Sequence, residues 1–403
     1  MQLSRRQFVA ATTGTTAAAA LLGAALPATA EDDPLGVRAD FPAAASGLYL
    51  NSAYIAPVPL TVAAAAHAFV EAKAHAPIPL GDMLKKTDEV RGQFARLIGA
   101  TTDEIGFLFA TSEGENIVAA SLDLKAGDNV VIDELHYTTT FVLYRHLQQT
   151  RAIDLRIVKH RNGSVARQDF ERAVDDRTRL VSVAWVSHQN GFRHDMRPLA
   201  DLAHAHGALF YTDAIQALGM FPVNVVEAGV DVLTSGTYKW LLGGFGVAPF
   251  YVKRDLLERI RLDRMGALHV ERELDDHQFT IYSTAKKFDY ATLPFAEVYQ
   301  LGAALTYLER VGVDRIGRHT IALAGELRNG LAANGFRVLT PPGNGSSIVS
   351  LTVRNGSRAR EVLEKAGVQV SFRENGTQIR VSPALFNTRA DIQRFLELAS
   401  SFV

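Results

Sequence analysis

The sequence predicts an α/β fold with a large, doubly wound, mainly parallel β-sheet domain and a smaller C-terminal α/β domain. Three observations support this prediction: short apolar runs alternate with helix-like segments after about residue 85, the chain has 403 residues, and 47% of them are apolar. Strands separated by helices are typical of parallel sheets, and this length allows one large and one smaller domain. We therefore expect ligands to bind beyond the carboxyl ends of the strands.

The strands of the large sheet are predicted from short apolar runs, and the helices from apolar residues spaced three or four apart. The clearest helical pattern spans residues 195–207, where Met196, Leu199 and Leu202 share one face and a glycine ends the element. The apolar runs are Ile105 to Phe109, Asn129 to Ile132, Arg179 to Val186, Ala208 to Thr212, Val230 to Thr234 and Val247 to Val252.

The smaller unit is predicted to begin near Leu293-Pro294. A long helical pattern from Phe295 to Val311 leads into it, and short strands are predicted at Ile348 to Val353, Val368 to Phe372 and Thr377 to Val381. We divide the chain after its leader into an N-terminal segment, residues 31–60, a large domain, residues 61–293, and a small C-terminal domain, residues 294–403.

Residues 1–30 have the layout of an export signal. Ser4-Arg5-Arg6-Gln7-Phe8 precedes an uncharged stretch rich in Ala and Thr, which ends at Ala28-Thr29-Ala30 before acidic residues. The paired arginines resemble a twin-arginine signal, which an export machinery reads as an address. We expect an exported, periplasmic or extracytoplasmic protein in which residues 1–30 are not part of the fold.

Charge and cysteine content exclude several classes of function. The 42 Lys and Arg residues nearly balance 43 Asp and Glu residues, and this net charge of −1 argues against a nucleic-acid-binding surface. The sequence has no cysteine, which excludes a thiol nucleophile, a Cys-ligated metal and a disulfide. His204 and His206 are two residues apart and point to different helix faces, so we expect no metal site.

The sharpest chemical signal follows a predicted buried strand, in residues 234–246. Lys239 in this segment lies on a predicted loop at the carboxyl edge of the sheet. An amine buried among aromatic side chains has a lowered pKa, which is the state that forms a Schiff base with a carbonyl. A surface lysine at a strand end is the simpler alternative, and Lys239 alone does not decide between them.

Three other strand ends carry side chains that suit cofactor chemistry. Asp213 ends an apolar strand, where a carboxylate holds a heteroaromatic nitrogen protonated or caps the next helix. Ser112 and Glu113 lie at the start of a predicted helix. Its free N–H groups are suited to bind a phosphate, but an ordinary N-cap needs the same residue types. His136 follows a third strand and is suited either to lie over a planar cofactor or to a structural role.

Together, these four segments resemble in order and spacing the class V aminotransferase family of pyridoxal-phosphate (PLP) enzymes, over most of residues 45–390. The resemblance implies an aspartate-aminotransferase-like fold (fold type I), PLP as cofactor and an amino-acid-type substrate. It assigns Lys239 to the Schiff base with PLP, Asp213 to the pyridine nitrogen and His136 to ring stacking. It assigns further cofactor contacts to Ser112, Glu113, Gln216, Thr237 and Tyr238, and substrate binding to Arg380 and Asn51.

Two further assignments depend on segments that match the family in part. Residues 186–191 place either His188 or Asn190 against the phenolic oxygen of PLP. Residues 288–292 resemble a Phe-Glu-x-Gly-Thr segment of the family, with Ala291 where Gly is usual. In the family this Thr reaches the phosphate of the neighbouring subunit, so the match of Thr292 implies a homodimer with sites shared across the interface.

The missing cysteine distinguishes this chain from the desulfurases of the family, which form a persulfide on a Cys ahead of the substrate-binding Arg. The corresponding segment here, Val370-Ser371-Phe372-Arg373-Glu374-Asn375, has none, so we expect no desulfurase activity through such a persulfide. The Lys-Trp-Leu-Leu stretch resembles isopenicillin-N-epimerase-like members. The leading prediction is therefore Cα–H cleavage on an amino acid or a derivative, through an external aldimine, with an epimerase- or racemase-like outcome.

Several alternatives stay open. An aminotransferase or a β-eliminating, Cβ–S-cleaving lyase would use the same core residues, and an exported binding protein would keep the fold and PLP without catalysis. Residues 243–246, Gly-Gly-Phe-Gly, invite a nicotinamide dehydrogenase interpretation but lack the G-x-G-x-x-G spacing. Candidates for a second proton donor, or for contacts to the substrate side chain, are Tyr54, His188, Arg193 and Tyr282.

Overall fold

The structure, a computed structural model, describes residues 33–402 and places them around a seven-stranded and a four-stranded β-sheet. The predicted twin-arginine signal, residues 1–30, lies outside the described residues. Within the described part of the chain, no helix combines the length and the apolar composition needed to cross a bilayer.

The amino-terminal part is mainly helical and leads into the first strand of the large sheet. Its elements are α1 (Pro42–Ser46), β1 (Leu48–Tyr49), α2 (Leu60–His75), α3 (Leu80–Ile98), β2 (Ile105–Leu108) and α4 (Thr111–Ser121). Helix α3 ends because Gly99 adopts a left-handed conformation, with φ of 72°, and its N–H closes the last turn on Ala95 and Arg96.

The central part alternates strands and helices, as predicted. Its elements are β3 (Asn129–Asp133), α5 (Thr138–Arg151), β4 (Asp154–Val158), α6 (Arg167–Ala173), β5 (Thr178–Ala184), α7 (Met196–Ala205), β6 (Leu209–Asp213), α8 (Val225–Ala228), β7 (Val232–Thr234) and β8 (Ala248–Val252). The strand order is β2-β8-β7-β6-β5-β3-β4, in which β8 is antiparallel to both neighbours and the other adjacent pairs are parallel. The predicted fold class is confirmed.

The carboxyl-terminal part builds the smaller sheet. It contains the hairpin β9 (Val270–Glu273) and β10 (Phe279–Ile281), then α9 (Phe295–Val311), α10 (Val313–Ala333), β11 (Arg337–Val338), β12 (Val349–Thr352), α11 (Gly356–Lys365), β13 (Val368–Gln369), β14 (Ser371–Arg373), β15 (Gln378–Val381) and α12 (Arg389–Ala399). The antiparallel order is β11-β12-β15-β14. The single strand predicted from Val368 to Phe372 is two, because β13 leaves this sheet and pairs with β1.

Apolar side chains of the large sheet pack on both of its faces. Val130 and Ile132 belong to one core cluster and Val131 to the other, as expected for a strand covered on both sides. A third cluster, which includes Leu48, Leu351 and other residues of the smaller sheet, joins β1 to the carboxyl-terminal part. The domain boundaries given above stay a prediction. With both faces covered, the carboxyl edge of the sheet is left for a ligand.

Candidate active site

The carboxyl ends of parallel strands meet beside a cavity of about 320 Å³. Strands β3, β5, β6 and β7 end at the same edge of the sheet, and the segments that follow them, with the start of α4, form the walls. This is where open α/β sheets bind ligands. Six residues predicted from the sequence line the cavity: Ser112, His188, Asp213, Gln216, Tyr238 and Lys239.

Lys239 is held in a largely desolvated position on the loop after β7. The residue is 8% exposed, and its Nζ lies 5.6 Å from the centroid of the Tyr238 ring. Burial, with the positive charges of Arg380 and Arg373, lowers the pKa of Lys239 to about 8, against the opposing effect of Asp213. An amine in this state is available as a nucleophile and a base near neutral pH.

Asp213, the last residue of β6, is buried with its carboxylate at the cavity wall. Its Oδ1 accepts a hydrogen bond from the Ile215 N–H at 2.9 Å. Turns rather than a helix follow β6, so Asp213 does not cap a helix. Burial raises the pKa of Asp213, whereas the Ile215 N–H, His136 and Lys239 act in the opposite direction. A cationic ring nitrogen in the cavity would balance the negative charge of the buried Asp213 carboxylate.

Gln216 is fixed between two neighbours. Its Nε2 donates to the backbone oxygen of Ala53 at 2.9 Å, and its Oε1 accepts from Trp240 Nε1 at 2.8 Å. Since an amide nitrogen carries two hydrogens, one donor of Gln216 stays available to a ligand. The loop that carries Lys239 is thereby attached to the segment after β6.

His136 is buried but is not among the residues that line the cavity. Its Nδ1 accepts from the Tyr137 N–H at 2.7 Å, which leaves the proton of the neutral ring on Nε2, 3.2 Å from Ser182 Oγ. Ser182 donates in turn to Glu115 Oε1 at 2.6 Å, and Thr140 donates to Glu115 Oε2 at 2.6 Å. Glu115, a buried wall residue that the sequence did not indicate, therefore orders the His136 ring.

The structure distinguishes between the two residues proposed for the phenolic-oxygen contact. Asn190 does not line the cavity, because its side chain donates to Gly163 O at 2.8 Å and accepts from Phe192 N at 3.0 Å. His188 does line it, and its Nδ1 is buried without a hydrogen-bond partner. Burial, with the nearby cations, lowers the pKa of His188 to about 2, so its ring is neutral.

The start of α4 gives different roles to its two predicted residues. Ser112 lines the cavity in the first turn, where N–H groups lack helical acceptors. Glu113 Oε2 instead accepts from the N–H groups of Phe109 and Ala110, at 2.6 and 3.2 Å, and its Oε1 accepts from Arg264 at 2.6 Å. Glu113 thus shapes the helix start, and its assignment to phosphate binding stays a prediction.

Other predicted residues lie around the cavity without lining it. Thr237 donates to Gly244 O at 2.6 Å and closes the Lys239 loop. Arg380 is 3% exposed and donates to His188 O at 2.8 Å and to Ser371 Oγ at 3.1 Å. Asn51 accepts from Ser371 Oγ at 2.6 Å and so supports Arg380 indirectly.

Four more predicted residues do not line the cavity of their own chain. Thr292 and Tyr54 are exposed. Arg193 lies over the Phe221 ring, 3.7 Å from its centroid, beside a different pocket, and Tyr282 lies under Lys286. Of the four candidates for a second proton donor, only His188 faces the cavity.

The cavity fits PLP better than a metal or a dinucleotide. A buried lysine, a buried carboxylate and an unpartnered imidazole donor surround a space for a planar ring. Across residues 33–402, no group of three or more His, Asp or Glu side chains is placed to hold a metal ion. The Gly-Gly-Phe-Gly loop leads into the antiparallel strand β8 rather than into a helix, which contradicts the dinucleotide interpretation.

Comparisons with known proteins agree with this geometry. A probable cysteine desulfurase of Methanothermobacter thermautotrophicus is 30% identical over 381 residues, covering 89% of this chain and 95% of the relative. The apo cysteine desulfurase of Thermococcus onnurineus shares the fold, with a TM-score of 0.85, 22% identity and coverage of 92% of this chain and 98% of that one. These names do not support our expectation that desulfurase activity is absent.

A third protein shares the fold at lower identity. C-DES, a cystine C–S lyase, is 19% identical in a form with glycine covalently linked to its PLP cofactor, with a TM-score of 0.84 and coverage of 91% of this chain and 99% of that one. In another structure C-DES is bound to its reaction product, cysteine persulfide. The model of the family described as aminotransferase class-V matches residues 48–395. The chain therefore belongs to the class V aminotransferase family.

Proposed function

We propose that the protein is a PLP-dependent enzyme that removes the Cα hydrogen of an amino-acid-type substrate, with Lys239 as acid and base. The observation that carries this proposal is the Lys239 amine, which is 8% exposed at a cavity wall and has a pKa of about 8. Membership of the class V family supports both the cofactor and the class of substrate.

The residues of the cavity fit PLP. Asp213 would hold the pyridine nitrogen, the first turn of α4 with Ser112 the phosphate, and Gln216 with His188 Nδ1 the phenolic oxygen. When bound, PLP supplies an aldehyde that condenses with amines and a protonated ring that accepts an electron pair. The buried carboxylate of Asp213 favours that protonated ring.

Lys239 is suited to move a proton at the substrate Cα. Its pKa of about 8 makes both the neutral and the protonated amine accessible near neutral pH, so one residue removes a proton and returns it. Arg380, with its Nε buried and unpartnered, is suited to hold the substrate carboxylate. These two contacts orient the Cα–H bond toward Lys239.

The branch that follows is proposed to be loss of a Cβ substituent or transamination, ahead of epimerisation. Epimerisation needs a second proton carrier on the other face of the substrate. His188 and Tyr238 are poor carriers near neutral pH, because burial lowers the pKa of His188 to about 2 and raises the pKa of Tyr238 to about 12. A single group that both removes and returns protons near neutral pH, Lys239, is enough for the other two reactions.

A sulfur-containing substrate suits the lyase branch. Several curated relatives are named cysteine desulfurases, and C-DES is named a cystine C–S lyase with cysteine persulfide as product. Since this chain has no cysteine, sulfur cannot be carried on a thiol of the enzyme and would leave with a small-molecule product or acceptor.

The cofactor assignment is tested by borohydride reduction of the purified protein loaded with PLP. Reduction should attach the cofactor to the Lys239 peptide, identified by mass spectrometry, and Lys239→Ala should lose both this label and activity. The control is Lys287→Ala, which removes another lysine whose pKa is lowered by burial, and it should keep both. A labelled and active Lys239→Ala protein would contradict the site.

The branch is tested with L- and D-amino acids, cystine included. Pyruvate or released sulfide supports the lyase, a keto acid with loss of the aldehyde form of the cofactor supports the transaminase, and inversion with solvent deuterium at Cα supports the epimerase-like outcome. A protein that captures PLP on Lys239 but turns over no substrate contradicts catalysis and supports a binding protein.

A further inference from the structure

Two arginines lie on one face of the smaller sheet, next to the cavity. In the antiparallel pairing of β14 and β15, Ser371 is opposite Arg380, and Arg373 is opposite Gln378. Side chains two residues apart on a strand point to the same face, so Arg373 and Arg380 are diagonal neighbours on it. The sequence drew attention to this segment only because it lacks a cysteine.

Both guanidinium groups contact His188, which lines the cavity. Arg380 Nη1 donates to the backbone oxygen of His188 at 2.8 Å, and Arg373 Nη2 donates to its ring Nε2 at 3.2 Å. Because Nε2 accepts this bond, the neutral ring carries its proton on Nδ1, the buried atom without a partner. One residue at the cavity wall thus links the two cationic groups to the site.

Within residues 33–402, neither arginine has a carboxylate partner. Across residues 33–402, no carboxylate oxygen lies within 4.0 Å of either guanidinium group. Arg380 is 3% exposed and its Nε is buried and unpartnered, while Arg373 is half-buried. Two like charges placed so close in a partly desolvated region are unfavourable without a compensating anion.

The electrostatics of the cluster agree with a missing anion. Burial, together with the charge of Arg373, lowers the pKa of Arg380 to about 10. Burial also lowers the pKa of Arg373, against the effect of the adjacent Glu374. The same two charges lower the pKa of Lys239, so the cluster lies close enough to the cavity to act on its lysine.

We propose that Arg380 and Arg373 together bind a dianionic substrate, an α-amino acid whose side chain carries a second acidic group such as a carboxylate or a sulfinate. Arg380 holds the α-carboxylate and Arg373 the side-chain anion. This inference rests on the proposed function, since it takes the α-carboxylate to be bound by Arg380. A guanidinium group offers a planar set of donors that matches either anion.

The experiment compares acidic ligands with neutral amides of nearly the same shape. Holoenzyme is titrated with L-aspartate and L-asparagine, with L-glutamate and L-glutamine, and with L-cysteine sulfinate, and the dissociation constant is read from the visible spectrum of the bound cofactor. The wild-type enzyme should bind the acid of at least one pair about 10- to 100-fold more tightly than its amide, the range of one charge-assisted contact. Cysteine sulfinate is the probe for a side-chain anion other than carboxylate.

Arg373→Gln should abolish this preference, so that the acid and the amide of each pair bind with similar dissociation constants. Any effect that passes through His188 or Lys239 changes both ligands alike and leaves their ratio unaffected. The matched control is Arg360→Gln, which removes an exposed arginine of the neighbouring helix α11. Its guanidinium group lies 4.1 Å from the ring centroid of Phe372, the residue that precedes Arg373 on β14. This control should keep the wild-type preference. A purely structural role of Arg373 would instead weaken acid and amide binding together.

The inference is overturned if the wild-type enzyme binds no acidic ligand, binds acid and amide alike, or keeps its preference in Arg373→Gln. These outcomes differ from failure of the proposed function, because the titrations are made on enzyme for which borohydride has already shown PLP bound to Lys239. A protein that captures no PLP on Lys239 would contradict the proposed function, and the inference with it.

Discussion

In the proposed mechanism, the charge state of Lys239 controls the chemistry, and the surroundings of Lys239 set that state. Burial lowers the pKa of its amine to about 8, and Asp213 and Arg380 act on it in opposite directions. Only the neutral amine attacks an aldehyde. In the protein freed of cofactor, the rate of PLP capture should therefore rise with pH and level off above about pH 8.

Variants of Asp213 and Arg380 should move the midpoint of this pH dependence, the pH at which PLP capture reaches half its maximum rate, in opposite directions. Asp213→Asn removes an anion and should shift it to lower pH, whereas Arg380→Gln removes a cation and should shift it to higher pH. Stopped-flow measurement of PLP binding between pH 6 and 10 gives all three midpoints, each read relative to the wild type. A wild-type rate that still rises steeply at pH 10 would show that Lys239 is not desolvated in solution.

At this scale, sequence reasoning found the residues that follow strand ends and missed those placed by packing. Asp213 and Lys239 are identified by their position after buried strands. Glu115 belongs to an ordinary helix pattern, and only the packing of α4 against Ser182 and Thr140 shows that its carboxylate is buried. Arg373 could have been found from its two-residue alternation with Ser371, had the strand pairing been known.

At the scale of elements, one buried ion pair ties α3 to the edge of the large sheet. Arg91 Nη2 donates to Asp289 Oδ2 at 2.6 Å, and Asp289 Oδ1 accepts from the Phe107 N–H at 2.7 Å. Arg91 Nη1 also donates to Ile105 O at 2.6 Å. The acidic residue of the segment 288–292 therefore anchors that segment to β2, the strand that precedes α4.

Asp289→Ala should destabilise the fold strongly, because it leaves Nη2 of the buried Arg91 guanidinium group and the Phe107 N–H without their acceptor. We expect a loss of about 3–5 kcal/mol in the free energy of unfolding. Urea denaturation should show a lower midpoint with an unchanged slope. The exposed pair Arg318 and Asp314 provides the control, since Asp314→Ala should cost about 1 kcal/mol or less.

A double variant separates the cost of the unpaired charge from the loss of packing. Arg91→Met in the Asp289→Ala background should recover part of the lost stability, because it removes a buried cation that has lost its buried partner and keeps only the exposed Asp88. No recovery would mean that the hydrogen bond to Phe107, rather than the ion pair, carries the effect.

Elements with a clear local pattern were predicted well, whereas the division of one predicted strand between two sheets was not. The helix predicted from Phe295 to Val311 has these bounds in the structure. The strand predicted from Val368 to Phe372 is divided, since Val368 pairs with Leu48 while Phe372 pairs with Ile379. A partner more than 300 residues away leaves no trace in a local apolar pattern.

For the whole molecule, three distant parts of the chain converge at the substrate side of the site. Asn51 from the N-terminal segment accepts from Ser371 of the smaller sheet, and Ser371 also accepts from Arg380. Arg380 contacts His188 of the large-sheet part. The substrate binding that we propose for Arg380 therefore depends on how the smaller sheet is attached to the large one. This convergence follows from tertiary packing and could not be predicted from any one segment.

Enzymes of this family are typically dimeric, and a homodimer with shared sites is our proposal for the quaternary structure. Thr292 is exposed and does not line the cavity of its own chain. The neighbouring Tyr290 packs edge-on against Phe109, with ring centroids 5.8 Å apart, just before the start of α4. The segment is thus fixed near the start of α4, where we propose that the phosphate binds, and the exposed Thr292 is available for the proposed contact with a partner subunit.

Mixed dimers test whether Thr292 serves the partner's site. Thr292→Ala alone should weaken PLP binding about 10- to 100-fold, the range for one hydrogen bond to a charged group. A dimer of one Lys239→Ala and one Thr292→Ala subunit, isolated with two different tags, has one intact site if Thr292 acts in trans. At a PLP concentration that leaves Thr292→Ala homodimers mostly empty, it should show about half the wild-type activity per dimer, because one of the two sites is complete. If Thr292 acts in cis, both sites of the mixed dimer are defective and activity stays at the level of the homodimeric variants.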